Sequence, residues 1–96
     1  MNTEILLSQD VFVLNELGMH ARPAAKIAEM AMEAKGEVWL NVADTQVDAS
    51  SIIDILSLCA VKGAQVTIQI ECPEDKPVLE SIKAFFEIGF GELPDA

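Results

Sequence analysis

The sequence predicts an α+β domain in which helices cover one face of a sheet, and three observations carry that expectation. Strand and helix signals follow one another in the order β-α-β-β-α-β-α. Residues 65–70 alternate strictly, with Val66, Ile68 and Ile70 pointing one way and Gln65, Thr67 and Gln69 the other. One face of that sheet is therefore dry and the other wet. Of the 96 residues, 51% are apolar, which suffices for one core, and the length suits a single domain over residues 1–96.

The first strand is expected over residues 5–14, with its best alternation around Val11 and Val13. A loop containing Gly18 leads into helix one, residues 21–35. Ala24, Ile27, Ala28 and Ala31 repeat at i, i+3, i+4 and i+7, a narrow face of small side chains that lets the helix lie close to the sheet. Gly36 is expected to stop it. Strand two, residues 37–42, places Val38, Leu40 and Val42 opposite Trp39 and Asn41, with Trp39 on the bare face. A turn at Ala43-Asp44 leads to strand three, residues 46–48, although Ala tolerates the positive φ of such turns less well than Asn or Gly. Helix two is expected to start near Ser50 or Ser51 and to end before Gly63, with Cys59 inside it as a small hydrophobe. A breaker cluster from Pro73 to Pro77 precedes helix three, whose Val78, Ile82, Phe85 and Phe86 share a face, and Gly89 and Gly91 end it.

The charge balance excludes some functions. A net charge of −10 with only six basic residues, no two adjacent, argues against nucleic acid and against anionic membrane surfaces. No apolar run is long enough to span a bilayer, and Glu4 interrupts any leader-like start, so the default expectation is a cytoplasmic protein without membrane insertion. Cys59 and Cys72 with a single histidine offer no metal pattern, and reduced thiols are expected. No metal or cofactor is implied.

The chemistry concentrates in Gly18-Met19-His20-Ala21-Arg22-Pro23-Ala24-Ala25. Gly18 permits a tight turn, and Pro23 suits the first turn of a helix, where a missing N–H is harmless. His20, the one histidine, then sits at a helix N-terminus, where unpaired N–H groups and the positive dipole end receive an anion. Neutral imidazole is a nucleophile, and these surroundings suit a phosphoryl group placed on it. Arg22 is poorly placed for a solvated cation, since the dipole end beside it is already positive. An incoming anion would offset that. Glu16, four residues before His20, would oppose an anion if it approached the ring.

This run resembles the histidine-containing phosphocarrier protein (HPr) family of the bacterial phosphoenolpyruvate-dependent phosphotransferase system. A second matching stretch runs Ser51-Ile52-Ile53-Asp54-Ile55-Leu56-Ser57-Leu58-Cys59-Ala60-Val61-Lys62-Gly63-Ala64-Gln65-Val66-Thr67-Ile68, and the likeness extends from about residue 4 to residue 92. The resemblance implies an open-faced β-sandwich, a four-stranded antiparallel sheet under three helices. It implies that His20 accepts a phosphoryl group from phosphorylated Enzyme I, on the ring nitrogen nearer the backbone, and passes it to the A domain of sugar permeases. Arg22 would be its electrostatic partner, and the chain a protein substrate in a relay more than an enzyme, working as a monomer. Ser51 falls where many members are phosphorylated by a regulatory serine kinase.

Ser51 also has a purely local reading. Ser is a favoured N-cap, and Asp54 three residues on makes an approximate capping box, while its carboxylate would repel a phosphate on Ser51. Helix two holds more apolar residues than one face buries. Ile55, Leu58 and Cys59 can face the core, leaving Ile52, Ile53 and Leu56 for a docking patch beside His20, which Met19 and Met30 would extend. Family members usually ring that patch with Lys and Arg. Here the matching positions include Glu29, Met32, Ser50 and Asp54, leaving Arg22 and Lys26 nearly alone, so partners are expected to be less acidic or more basic than usual. Three rivals stand beside the sugar relay: a paralogue in a regulatory, nitrogen-related phosphorelay; a non-transferring regulatory module that binds its partner through helices one and two; and a small-ligand-sensing domain on a similar α+β frame, which would need a pocket the sequence does not advertise.

Overall fold

The structure, a computed structural model, describes residues 7–94. Four strands form one sheet: β1 (Ser8–Phe12), β2 (Val38–Val42), β3 (Thr45–Asp48) and β4 (Gln65–Ile70), in spatial order β1-β4-β2-β3. Every neighbouring pair is antiparallel, with Val11 opposite Val66 and Leu40 opposite both Val47 and Ile68. Three α-helices, α1 (Ala21–Ala31), α2 (Ile52–Ser57) and α3 (Lys76–Glu87), complete the expected open-faced α+β sandwich. Val66, Ile68 and Ile70 are all buried, while Trp39 lies half-buried on the other face, its Nε1 donating to Glu71 Oε2 at 2.8 Å.

Several boundaries differ from the sequence expectation, each for a local reason. Residues 5 and 6 of the expected first strand lie outside the described residues. The strand ends at Phe12, although Val13 still exchanges hydrogen bonds with Ala64 O and Gly63 N, and the alternation persists, with Val11, Val13 and Asn15 all buried. α1 ends at Ala31 instead of residue 35. Its last turn tightens through Glu33 N to Met30 O and Ala34 N to Ala31 O, and the N–H groups of Lys35 and Gly36 then donate to the two oxygens of Asp75, each at 2.8 Å. Those two bonds hold the buried Asp75 carboxyl below its usual range. Gly36 is thus no left-handed helix stop. Gly36 allows a close approach instead, since a Cβ there would crowd Cys72 Cβ at 3.2 Å.

The β2–β3 turn does place Ala43 at positive φ (53°), a strain of about 1 kcal/mol for a residue with a Cβ. α2 is shorter than expected: Leu58 caps it and Cys59 turns left-handed (φ 51°). Cys59 is therefore neither helical nor packed in the core; it is exposed, and both cysteines are free thiols. A 3₁₀ turn at Pro73–Asp75 leads into α3, where Leu79 joins Ile82 and Phe86 in the core. After α3, Gly89, Phe90 and Gly91 all take positive φ and reverse the chain. Phe90 is buried there, its ring 4.9 Å from that of Phe86 and 5.1 Å from that of Phe85. Among the described residues no helix is long and apolar enough to cross a membrane.

Candidate functional site

The loop between β1 and α1 is pinned to the turn after α2. Gly18 has φ +71°, and a Cβ on it would meet the Ala60 carbonyl oxygen at 2.7 Å, so only glycine fits. Met19 N donates to that same carbonyl at 2.9 Å. This anchorage drives the Met19 side chain inward, where it joins the core; the expectation that Met19 extends a docking patch is therefore wrong. His20 follows as the N-cap of α1, in extended backbone, with Ala24 N donating to its carbonyl at 3.0 Å.

The His20 side chain makes no capping bond and is 33% exposed. The N–H groups of Ala21 and Arg22 have no intrahelical acceptor by position, and no acidic residue lies in the first turn. The ring instead meets a residue from the far end of the chain: His20 Nε2 lies 2.7 Å from Glu92 Oε2. The guanidinium of Arg22 donates to the same oxygen, and Asn15 Nδ2 donates to Glu92 Oε1 at 2.7 Å. Burial pushes the Glu92 carboxyl up, but donation from Asn15 and His20 and the charge of Arg22 outweigh it, so the group stays below its usual range. Glu16 is not part of the cluster. It pairs with Lys62, which holds its carboxyl below the usual value and away from the ring.

Sequence reasoning placed His20 and Arg22 together but missed Asn15 and Glu92. Asn15 did leave a signal: it occupies the next inward position after Val11 and Val13, where a polar residue demands a purpose. Glu92 left no local signal, since it reaches the site only through the backbone reversal at Gly89, Phe90 and Gly91.

Ser51 is the N-cap of α2, its Oγ accepting from Asp54 N at 3.2 Å. The capping box is only half formed, because Ser51 N donates to the Asp48 carbonyl. Beside it, an apolar groove between α1 and α2 is lined by Ala25, Ala28, Met32, Ile52 and Ile53, with Glu29, Ser50 and Ser51 at its edge. Ile53 is 79% exposed and Met32 70%. Leu56 is half-buried, packing partly against the core beside Ile52 and Ile53. Met30 lies elsewhere, facing Pro77 and Val78 on the α3 side. Met32 supplies the adaptable sulfur side chain in its stead.

Arranged this way, an imidazole with one nitrogen held by a carboxylate stands at an anion-receptive helix end, next to a guanidinium and an apolar landing surface. Comparisons agree with that chemistry. The family described as the PTS HPr component phosphorylation site matches residues 7–87. Phosphocarrier protein NPr of Escherichia coli (strain K12) is 38% identical over 87 residues, covering 90% of this chain and 97% of that protein. Phosphocarrier protein HPr of Cupriavidus necator is 32% identical over 87 residues, covering 91% and 98%. The crystal structure of HPr-C-His from Thermoanaerobacter tengcongensis superposes with a TM-score of 0.84 at 28% identity, covering 91% of this chain and 98% of that one. The chain belongs to the HPr family of phosphocarrier proteins of the phosphotransferase system.

Proposed function

We propose that this protein shuttles a phosphoryl group on His20, taking it from phosphorylated Enzyme I and handing it to the A domain of a sugar permease. The observation that supports the reading best is the partly exposed imidazole, capping no N–H group, at the N-terminus of α1, with Arg22 two residues on. The donor docks on the groove between α1 and α2, and its phosphohistidine approaches the ring in line. Arg22 and the first-turn N–H groups stabilise the moving charge. Few groups surround the ring, which suits a carrier: tight stabilisation of the phosphorylated form would lower its transfer potential. Incubation with Enzyme I and labelled phosphoenolpyruvate should give an acid-labile phosphoprotein, and His20→Ala should give none. Label retained by His20→Ala would remove the proposal.

A second reading, transfer within a nitrogen-related regulatory relay, is favoured by two observations. Relatives named NPr reach 38–39% identity, against 32% for the HPr of Cupriavidus necator. The groove edge also carries Glu29, with Asp54 in the first turn of α2 and only Arg22 and Lys26 nearby. Such an edge suits a donor less acidic, or more basic, than one that meets a basic rim. Rates with the Enzyme I of each branch separate the two readings. The variant Glu29→Lys, Asp54→Lys should accept phosphoryl more slowly from its own donor at low salt, and the difference should shrink as salt rises. Faster transfer in that variant would show that the acidic edge is not matched to that donor.

A further inference from the structure

Among the described residues, the bare face of the sheet carries charge of one sign only. One row crosses the four strands as Ser8, Gln69, Trp39 and Asp48, and the next as Asp10, Thr67, Asn41 and Gln46. Glu37 and Glu71 extend β2 and β4 by one residue on the same face, Glu71 N donating to the Glu37 carbonyl at 3.3 Å. Four carboxylates therefore share that face, while none of the six basic residues lies in a strand. No ion pair among the described residues involves any of the four. Lys35 shares a cleft with Glu37 and Asp48 but is committed to Glu74 at 3.1 Å. A sheet face that is merely solvated mixes both signs and pairs opposite charges across strands. This one does neither.

Trp39, the single tryptophan, stands within that field on an inner strand. Its bond to Glu71 Oε2 at 2.8 Å fixes the orientation of a ring that is only half-buried. An indole so held offers contact area at little cost in conformational entropy, and its π-face attracts cations. The neighbouring polar groups are held as well: Thr67 Oγ1 donates to Asp10 Oδ1 at 2.7 Å, and Asn41 Nδ2 to the Thr67 carbonyl at 3.3 Å. We propose that this face is a docking surface for a basic polypeptide segment, with an arginine guanidinium stacked on Trp39 and further basic side chains meeting Glu37, Asp48 and Glu71. Charge complementarity selects that occupant. Guanidinium groups stack on aromatic rings and bind carboxylates bidentately. Nucleic acid and anionic lipid would be repelled, and a second copy of this chain would bring the same four carboxylates against them.

The sheet itself separates this surface from the α1–α2 groove, which lies in the helix layer. β2 follows the C-terminal end of α1, so Trp39 also lies toward the pole opposite His20. A partner seated on the sheet leaves the landing surface for a phosphoryl donor open. The protein can then hold a basic partner and exchange a phosphoryl group in one complex. That consequence rests on the carrier reading; the docking itself does not.

Titration with a hexa-arginine peptide tests the surface, at about 0.15 M salt so that long-range attraction to the acidic chain is screened. Emission from the single tryptophan should change saturably, and the amide NMR cross-peaks that move should lie in β1, β2 and β4, sparing α1 and α2. Trp39→Ala, followed by the same cross-peaks, should bind about threefold more weakly, as loss of an exposed cation–π contact does. The double variant Glu37→Gln, Glu71→Gln keeps an acceptor for the indole N–H and should bind about fivefold more weakly. Glu80→Gln with Glu87→Gln removes as much charge from exposed positions of α3 and should change nothing. The proposal is overturned if the moving cross-peaks gather around Glu29 and Asp54, or if they spread over the surface without saturating. It is overturned equally if the α3 variant weakens binding as much as the sheet variant. Binding of neutral cellohexaose but not of the peptide would make the face a sugar platform and also remove it. Phosphoryl acceptance from Enzyme I is a separate assay, so its failure would remove the carrier reading and leave the docking result standing.

Discussion

α1 and α2 pack against each other, yet their N-termini are built from opposite materials. α2 begins with a serine hydroxyl bonded to Asp54 N and has an acidic residue in its first turn, so its orphan N–H groups and dipole are answered within four residues. α1 begins with a histidine that caps nothing, has no acid in its first turn, and adds the cation Arg22. Its counter-charge is Glu92, 72 residues away from His20 in sequence. The difference separates a stability device from a receptive site. A local cap cannot leave without fraying its helix, whereas a distant counter-charge can move while α1 stays folded.

The sharpest way to break the contrast is to exchange the two losses. His20→Ala should abolish acid-labile phosphorylation and shift stability by less than about 0.5 kcal/mol, because the side chain caps no N–H group. Urea unfolding alongside the phosphorylation assay checks both halves. A His20→Ala variant that unfolds much more easily would mean the imidazole holds α1 together, and the two ends would no longer differ in kind.

Because the counter-charge of α1 arrives from afar, it depends on the core in a way that the cap of α2 does not. Phe90 anchors the reversal that delivers Glu92, and its ring sits against Phe85 and Phe86. Phe90→Ala should cost about 3–5 kcal/mol, as other buried aromatic truncations do, and should release Glu92 from His20. Thermal unfolding and the NMR shifts of the His20 ring report the two effects. Ser51→Ala should cost only about 1 kcal/mol and leave phosphoryl acceptance intact. A larger loss of acceptance than of stability in Ser51→Ala would place Ser51 in the site.

The same contrast explains what was legible in the sequence. Period-two alternation in β4 and the i, i+3, i+4, i+7 face of α1 report burial directly, because each residue's neighbours are fixed by local geometry. The position of His20 and Arg22 at the start of α1, and the Ser51 cap, were readable for the same reason: local geometry alone places each of them. The end of α1 was misread because Asp75, forty residues from Lys35, draws off the N–H groups that would continue the turn. Cys59 was misread because α2 stops at a left-handed residue that carries a Cβ, which no composition rule favours. Glu92 was invisible because it is placed by tertiary packing of Phe90 and by nothing near it in the chain.

pH offers the finest test of the contrast, since one end is answered by a carboxylate and the other by a hydroxyl. Glu92 is held below its usual value in the folded protein: burial raises it, and the hydrogen bonds of Asn15 and His20 with the charge of Arg22 more than reverse that. A depressed folded value means the folded state prefers the charged form. The contribution of Glu92 is therefore present in full above the unfolded carboxyl's titration and is lost as pH falls through the folded one. The penalty of Glu92→Ala should be present at about pH 7 and diminish at a pH below the ordinary carboxylate range, where the folded-state carboxyl takes up its proton. The hydroxyl of Ser51 does not titrate in that window, so loss of its own bond to Asp54 N should weaken α2 at both ends of the range. Paired urea midpoints at the two pH values decide it: a Glu92→Ala penalty that persists undiminished in acid would mean that Glu92 serves packing instead of charge.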